Sequence, residues 1–330
     1  MKYSFILPTR FIDDYLKKSV FEILKHKRDD YEIIVAFNGD DFVNCFNERV
    51  KIIKCPKNNV SLSRNMAANI SSGDFLVFID SDAYISDNFF EVLDKNFDNN
   101  VDFLCGPNIT AIEDSFLQKV FGVVLSIGFE YKHYLDYPRR VGVIMPSVNM
   151  SISKKGFVLI GGFSVDYNIA SEDTNFCLKY FDYFKKGFIY DPDLFVYHHR
   201  RKTLISFFKQ CSLYAIFNGK NFCLDLKIFL RNKLFKIQSI LPTIFVFVFF
   251  TFFVYGLLSS VFIYFYLLNF LSYLFILYKL FFKIWKYEKD IKKLLLASVI
   301  FYVLLFIYGF NFLIGFLINK RIKDVYFVKK

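Results

Sequence analysis

The sequence is poor in the residues that make disulfide frameworks, metal fingers and processing signals. Its six cysteines (Cys45, Cys55, Cys105, Cys177, Cys211 and Cys223) contain no CxxC pair and no metal-finger spacing. That excludes a zinc-binding module and leaves reduced, mostly structural thiols. No secretory leader is visible, because Tyr3–Leu7 is a short apolar run cut by Pro8, too short for a leader core. About the first two hundred residues are therefore expected to stay cytosolic. No internal repeat and no low-complexity linker occurs. A disordered polymer is excluded as well, since 46 Phe and 22 Tyr fall within 330 residues of which 55% are hydrophobic. A chain of this length can bury one or two cores without disulfide staples.

What the chain has in excess is apolar sequence at one end. The 42 Lys+Arg against 31 Asp+Glu give a net charge of +11, a balance that suits nucleic acid, anionic lipid or a phosphorylated substrate. The position of the apolar residues decides among these. From Ile237 to Tyr278 no charged residue occurs, a run of 42 residues. As a helix this is roughly 63 Å, about twice the ~30 Å hydrocarbon core of a bilayer. Gly256, Ser259 and Ser260 mark a turn near its middle, so two spans are expected, about 237–258 and 260–282.

A second charge-free run, Leu294–Asn319, is long enough to cross once, at about 294–319. Lys220, Lys227, Arg231, Lys233 and Lys236 precede the first span, and Lys283, Lys286, Lys289, Lys292 and Lys293 fill the loop before the last. Both clusters belong in the cytoplasm by the positive-inside rule. A tail with Lys320, Arg321, Lys323, Lys329 and Lys330 would then lie outside, against that rule. The alternative is a re-entrant segment turning at Gly309, Asn311 and Gly315. Lysines beside apolar spans point to a membrane partner and not to nucleic acid.

The N-terminal part reads as α/β. Strand-length apolar runs at Tyr3–Leu7, Tyr31–Ala36, Val50–Ile53 and Phe75–Ile79 alternate with helical stretches. One helix runs from about Asp14 to Lys25, with Asp13 or Asp14 near its cap. Another runs to about Ile70, with Ser61 as its cap and Ser71-Ser72-Gly73 as its stop. This alternation predicts a mostly parallel sheet covered by helices, with ligands at the carboxyl ends of the strands. Asp80-Ser81-Asp82 follows the fourth strand directly. Two carboxylates one residue apart at a strand end can share a divalent ion, or divide between ion and ribose. A second such pair, Asp191-Pro192-Asp193, lies downstream, so the pattern by itself says little.

Six segments in order carry a resemblance. They are SFILPTR (Ser4–Arg10), EIIVAFNGDD from Glu32, NVSLSRNMAANISSGDFLVFIDSD (Asn59–Asp82), NMSISKKGFVLIGGF (Asn149–Phe163), SEDTNF (Ser171–Phe176) and YDPDLFVYHHRR from Tyr190. Over roughly residues 3 to 220 the chain resembles a family 2 glycosyltransferase with the GT-A fold, of the membrane-anchored bacterial type. The resemblance implies a GT-A (Rossmann-like) catalytic domain followed by a C-terminal α-helical transmembrane region. The expected domains are 1–202 (catalytic, cytosolic), 203–236 (amphipathic and interfacial) and 237–330 (spans and basic tail).

The resemblance also assigns residues. Pro8, Thr9, Arg10 and Asn38 would line the donor pocket, Arg64 would approach the nucleotide phosphates, and Arg200 could pair with diphosphate oxygens. Asp80 would face the ribose or the metal, and Asp82 would bind the metal, Mn²⁺ or Mg²⁺. His198 stands at the family's V-x-H position and is the expected third ligand, although one of His198 and His199 could simply end a strand. Asp173, with Glu172 beside it, would be the catalytic base in a helix capped by Ser171. Asn149 and Met150 would contact the acceptor.

Two departures from the family pattern are visible. The acid usual at the end of the second strand is Phe37 here, with Asp40 or Asp41 as possible substitutes, which leaves the base of the nucleotide open. The QxxRW motif of processive synthases is absent around Gln210, which points to single addition.

The stripe Leu204, Phe207, Phe208, Cys211, Tyr214 and Ala215 predicts a helix lying either in the membrane interface or on the catalytic domain. The expected activity is metal-dependent inverting transfer of a sugar from a nucleotide-sugar donor to a lipid-linked or glycan acceptor in bacterial surface polysaccharide or glycolipid biosynthesis. It would take place at the inner (cytoplasmic) membrane, on a multi-pass protein whose catalytic domain faces the cytoplasm. A polyprenyl-phosphate sugar synthase is the alternative, and a non-enzymatic nucleotide-binding membrane protein is a third reading.

Overall fold

The computed structural model describes residues 2–40, 46, 48–128, 139–141, 145–166, 171–224, 241–258 and 288–318, with scattered positions between 264 and 285. The chain divides into two compact units. One comprises Met1–Asp114 and Tyr131–His199, the other Ser115–Glu130 and Arg200–Lys330.

The first unit begins with a strand–helix–strand alternation: β1 (Tyr3–Thr9), α1 (Asp14–Leu24), β2 (Tyr31–Phe37), β3 (Val50–Lys54), α2 (Val60–Ile70) and β4 (Phe75–Ile79). α1 starts where the Asp13 carboxylate accepts the Leu16 amide at 3.1 Å. It buries Leu16, Ser19, Val20 and Ile23, one helical stripe. α2 is capped by Asn59, whose side chain accepts from the Leu62 amide at 2.9 Å. Ser61 is not the cap: it lies inside the helix and is buried, two residues after the cap.

β5 (Ala83–Ile85), α3 (Phe89–Asp98), β6 (Phe103–Cys105) and β7 (Asn108–Thr110) follow. Then, after α4 (Phe116–Gly128) of the second unit, come β8 (Arg139–Val141), β9 (Asn149–Ser153), α5 (Lys154–Leu159), α6 (Glu172–Phe184), β10 (Phe188–Tyr190) and β11 (Val196–His198).

The main sheet has the order β3-β2-β1-β4-β9-β6-β10-β8. β3, β2, β1 and β4 are parallel, and β9 runs against both β4 and β6. Alternation along β1 sends Phe5 and Leu7 to a core shared with α1 and α3, and Ile6 to a second core shared with α2, α5 and α6. Both faces are covered, which is why these strands read as continuous apolar runs. A smaller sheet, β5-β11-β7, forms beside the carboxyl end of β4.

The second unit contains α4, α7 (Leu204–Leu224), α8 (Leu241–Leu258) and α9 (Ile291–Ile318). The end of the predicted stripe of α7 packs on α9, where Ala215 clusters with Tyr308 and Phe312. Backbones meet there because side chains are missing: a Cβ on Gly219 would strike the Phe312 carbonyl, and one on Gly315 the Ile216 carbonyl. Asn218 Nδ2 donates to the Tyr308 hydroxyl at 2.6 Å across the same contact. Phe121 of α4 stacks on Phe207 of α7, with ring centroids 4.2 Å apart. α4 thus belongs with the C-terminal helices, a partnership that its sequence position does not suggest.

α9 continues through Gly309, Asn311 and Gly315 without a break, so the re-entrant alternative is not adopted. Among the described residues, α9 is the one helix long and apolar enough to cross a membrane. Gly256 of the predicted turn lies within α8, while Ser259 and Ser260, residues 225–240, most of the predicted second span and the tail over 319–330 lie outside the described residues.

Candidate functional site

The carboxyl end of β4 is the centre of the site. Asp80 and Asp82 leave it in a turn closed by the Ala83 amide donating to the Asp80 carbonyl at 3.0 Å. β5 then pairs antiparallel with β11, placing His198 opposite Ala83. The His199 amide donates to the Asp82 carbonyl at 3.0 Å. This ladder brings ligand atoms of Asp80, Asp82 and His198 within 4.8 Å of one another, with His198 Nε2 3.2 Å from Asp82 Oδ1. Two carboxylates and one imidazole are a donor set that fits Mn²⁺ well and Mg²⁺ acceptably.

His199 points elsewhere. Its Nδ1 lies 2.7 Å from Asp114 Oδ1, and its ring packs on Tyr15 at 4.4 Å between centroids. The second acidic pair is also separate from the cluster. Asp191 is buried, accepting from Asn96 Nδ2 and from the Asp193 amide, so it closes a turn.

The start of α6 faces the same strand end through Arg64 of α2. The guanidinium is 2% exposed. Its Nη2 donates to Asp80 Oδ1 at 2.6 Å and its Nη1 to Glu172 Oε1 at 2.9 Å. Burial opposes the charge of Arg64, but the two carboxylates outweigh it and hold the group fully protonated. Ser147 Oγ donates a second hydrogen bond to Glu172 at 3.3 Å.

Beside Glu172, the Asp173 carboxyl is pushed up to about 7, first by burial and then by the Glu172 charge. The Thr174 amide, donating to Asp173 Oδ1 at 2.6 Å, and Arg64 pull it down in part. Ser171 does not cap α6 with its side chain: it enters the helix in the left-handed region, at φ 67.

The donor-side residues gather at the ends of β1 and β2. Pro8 and Thr9 are buried at the end of β1, and Arg10 is exposed just beyond it. Asn38 is buried and donates from Nδ2 to Ser63 Oγ at 3.0 Å. Asp40 is exposed and pairs with Lys57, whereas Asp41 lies outside the described residues.

Two expectations change. Asn149 and Met150 are both fully buried in β9, so neither side chain offers surface to an acceptor. Asn149 instead donates to the Pro107 and Leu194 carbonyls at 3.0 and 2.6 Å, fixing the loops that lead to β7 and β11. Arg64 is enclosed, with both terminal nitrogens donating to carboxylates and its Nε buried without a partner among the described residues. Sequence reasoning missed Ser147, Asn65 and Asp114. Asn65 both donates to the Phe163 carbonyl and accepts its amide, a contact with no local signal because 98 residues separate the partners.

Comparison with known proteins bears on the same region. The family model for glycosyl transferase family 2 matches residues 4–149. Glycosyltransferase GlyA of Streptococcus pneumoniae is 28% identical over 102 residues, which is 28% of this chain and 15% of that protein. Glucosyl-dolichyl phosphate glucuronosyltransferase of Haloferax volcanii is 21% identical over 222 residues, 60% of this chain and 69% of that one. The chain thus spans only a small part of GlyA. Among solved structures, S. aureus TarS 1-349 aligns with a TM-score of 0.42 at 15% identity, covering 66% of this chain and 65% of that chain. The same protein in complex with UDP-GlcNAc aligns with a TM-score of 0.46 at 16% identity, covering 66% of each. On the family match and these relatives, residues 4–149 are similar to glycosyltransferase family 2, within an α/β unit of the GT-A type.

Proposed function

We propose that the protein transfers a sugar, with inversion, from a nucleotide-sugar donor to a lipid-linked acceptor at the cytoplasmic face of a bacterial inner membrane, in surface polysaccharide or glycolipid assembly. The observation that carries this reading is the convergence on Arg64 of two groups: Asp80 with its partners Asp82 and His198, and Glu172 with its neighbour Asp173.

In this reading Asp80, Asp82 and His198 hold a divalent ion, which when bound neutralises the charge that develops on the departing nucleoside diphosphate. Pro8, Thr9 and Asn38 border the donor from the ends of β1 and β2, and Arg10 is the exposed cation available to it. Asp173 takes the proton from the acceptor hydroxyl as it attacks the anomeric carbon. A sugar hydroxyl is a poor nucleophile without a base at hand, and a carboxylate held near pH 7 is well matched to that task. A lipid phosphate acceptor would not need such a base, so the Asp173 environment favours a hydroxyl acceptor.

The lipid link is supported by α9 and by the relative whose name describes transfer involving glucosyl-dolichyl phosphate. A multi-pass arrangement rests on the charge-free run from Ile237 to Tyr278.

The test is a panel of nucleotide sugars titrated into the purified full chain, with Mn²⁺ and with EDTA, followed by transfer to polyprenyl-diphosphate-linked sugars in vesicles. Donor binding that ignores Mn²⁺, or transfer to bare polyprenyl phosphate alone, would overturn the reading.

A further inference from the structure

Arg64 was expected to meet the nucleotide phosphates, and its surroundings argue for a different task. The guanidinium is enclosed, at 2% exposure, with the Phe163 ring 5.4 Å from its carbon. Both terminal nitrogens are committed to carboxylates that come from distant parts of the chain, Asp80 at the end of β4 and Glu172 at the start of α6. Enclosure and these two carboxylates leave a single buried donor, Nε, without a partner among the described residues.

The start of α6 depends on outside help. Ser171 holds a left-handed conformation, rare for a residue with a side chain, and makes no side-chain cap. Glu172, the first helical residue, is buried and anchored by Arg64 and Ser147. The next residue of α2, Asn65, grips the Phe163 backbone in both directions. Two consecutive residues of one helix therefore fasten the segment on either side of residues 164–171.

We propose that Arg64 is a positioning residue, which ties Glu172 to Asp80 and so fixes the first turn of α6, with Asp173 on it, relative to the strand end bearing Asp80 and Asp82. The kinetic part of this proposal rests on Asp173 being the base, whereas the geometric part does not.

The experiment compares Arg64→Gln, Arg64→Lys, Glu172→Gln, the double variant Arg64→Gln/Glu172→Gln and Asp173→Asn in the full chain. It measures the Kd for UDP and GDP with Mn²⁺, turnover at saturating donor against pH, and hydrogen exchange at the amides of residues 174–177. Arg64→Lys keeps the charge but cannot span two carboxylates in a fork, and it serves where Arg64→Gln folds poorly. Each of the Arg64 and Glu172 single variants should lower saturated turnover by ~10-fold or more, with nucleotide Kd within ~3-fold of wild type. The double variant should be no slower than the worse single, as coupled residues behave. The acid limb of the Arg64→Gln profile should move to higher pH, because a cation near Asp173 is gone. Exchange at residues 174–177 should rise in the Arg64 and Glu172 variants and not in Asp173→Asn.

A nucleotide Kd weakened tenfold with saturated turnover unchanged would overturn the proposal in favour of a phosphate ligand. Multiplying effects in the double variant, or unchanged exchange at residues 174–177, would overturn it too. If Asp173→Asn keeps wild-type turnover, the base assignment fails, and the exchange data still decide the positioning of α6.

Discussion

Asp173→Asn tests the site without any substrate. Burial and the neighbouring Glu172 raise the Asp173 carboxyl from the ordinary 3.8 to about 7. The unfolded chain, with its value near ~3.9, has lost this proton well before the folded one does. Below about pH 4 both states carry the proton and Asp173 contributes nothing to the pH dependence. Between about 4 and 7 the folded state binds more protons than the unfolded one, so stability falls as pH rises. Above about 7 the full destabilisation is present. A shift of ~3 units corresponds to about 4 kcal/mol at ~1.36 kcal/mol per unit. Residual solvent contact at this partly exposed side chain brings a realistic figure to about 2 kcal/mol. Asparagine is neutral, keeps an oxygen for the Thr174 amide, and escapes that term. Asp173→Asn should therefore melt with the wild type near pH 4 and about 4–8 °C above it at pH 8, at ~2–4 °C per kcal/mol for a unit of this size. The assay is scanning calorimetry of both proteins in one detergent from pH 4 to 8.5. A difference in melting temperature that stays flat over that range refutes the raised carboxyl. Turnover should fall by at least the ~10²-fold of a lost base in this same variant, so the protein gains stability as it loses activity.

Other perturbations separate the remaining parts. Asp82→Ala should abolish Mn²⁺-dependent nucleotide binding while the melting temperature without metal stays near wild type; calorimetric titration showing unchanged Mn²⁺ dependence would remove Asp82 from the ligand set. His198→Gln should weaken Mn²⁺ affinity ~10-fold or more with a smaller loss for Mg²⁺, which is the harder ion; equal losses for both would mean that the imidazole is not a ligand. Gly315→Leu should separate α7 from α9, since even a Cβ there meets the Ile216 carbonyl, and thermal unfolding in detergent should show a loss of several degrees. A chain cut after Lys202 should need detergent to stay soluble, because α4 loses the helices it packs on; a freely soluble monomer would argue against that packing.

The strands that carry the site could be read from the sequence because their cause is local. Phe75–Ile79 is an uninterrupted apolar run, and the acids follow it at once. β5 was not legible, because a three-residue strand forms only by pairing, here with β11, whereas the strand end at the two histidines was. The cap of α2 was not settled by residue type either: Asn59 and Ser61 are both good caps, and the Leu62 amide bonds to Asn59. Asn149 shows the opposite failure. Its place in a motif suggested contact with substrate, yet its amide is spent on two backbone carbonyls. The link from Arg64 to Glu172 spans 108 residues, and no periodicity can announce it.

The pairing of β5 with β11 has a consequence for how this site could change. Because His198 sits opposite Ala83 in a backbone ladder, and the next amide binds the Asp82 carbonyl, the spacing between histidine and aspartate belongs to the peptide geometry. Exchanging side chains around it leaves that spacing intact. Inserting or deleting one residue in either strand does not, since a slip of one position turns every side chain to the other face. Tyr197 or His199 would then stand where His198 does, so that His198 would leave Asp82 and His199 would leave Asp114.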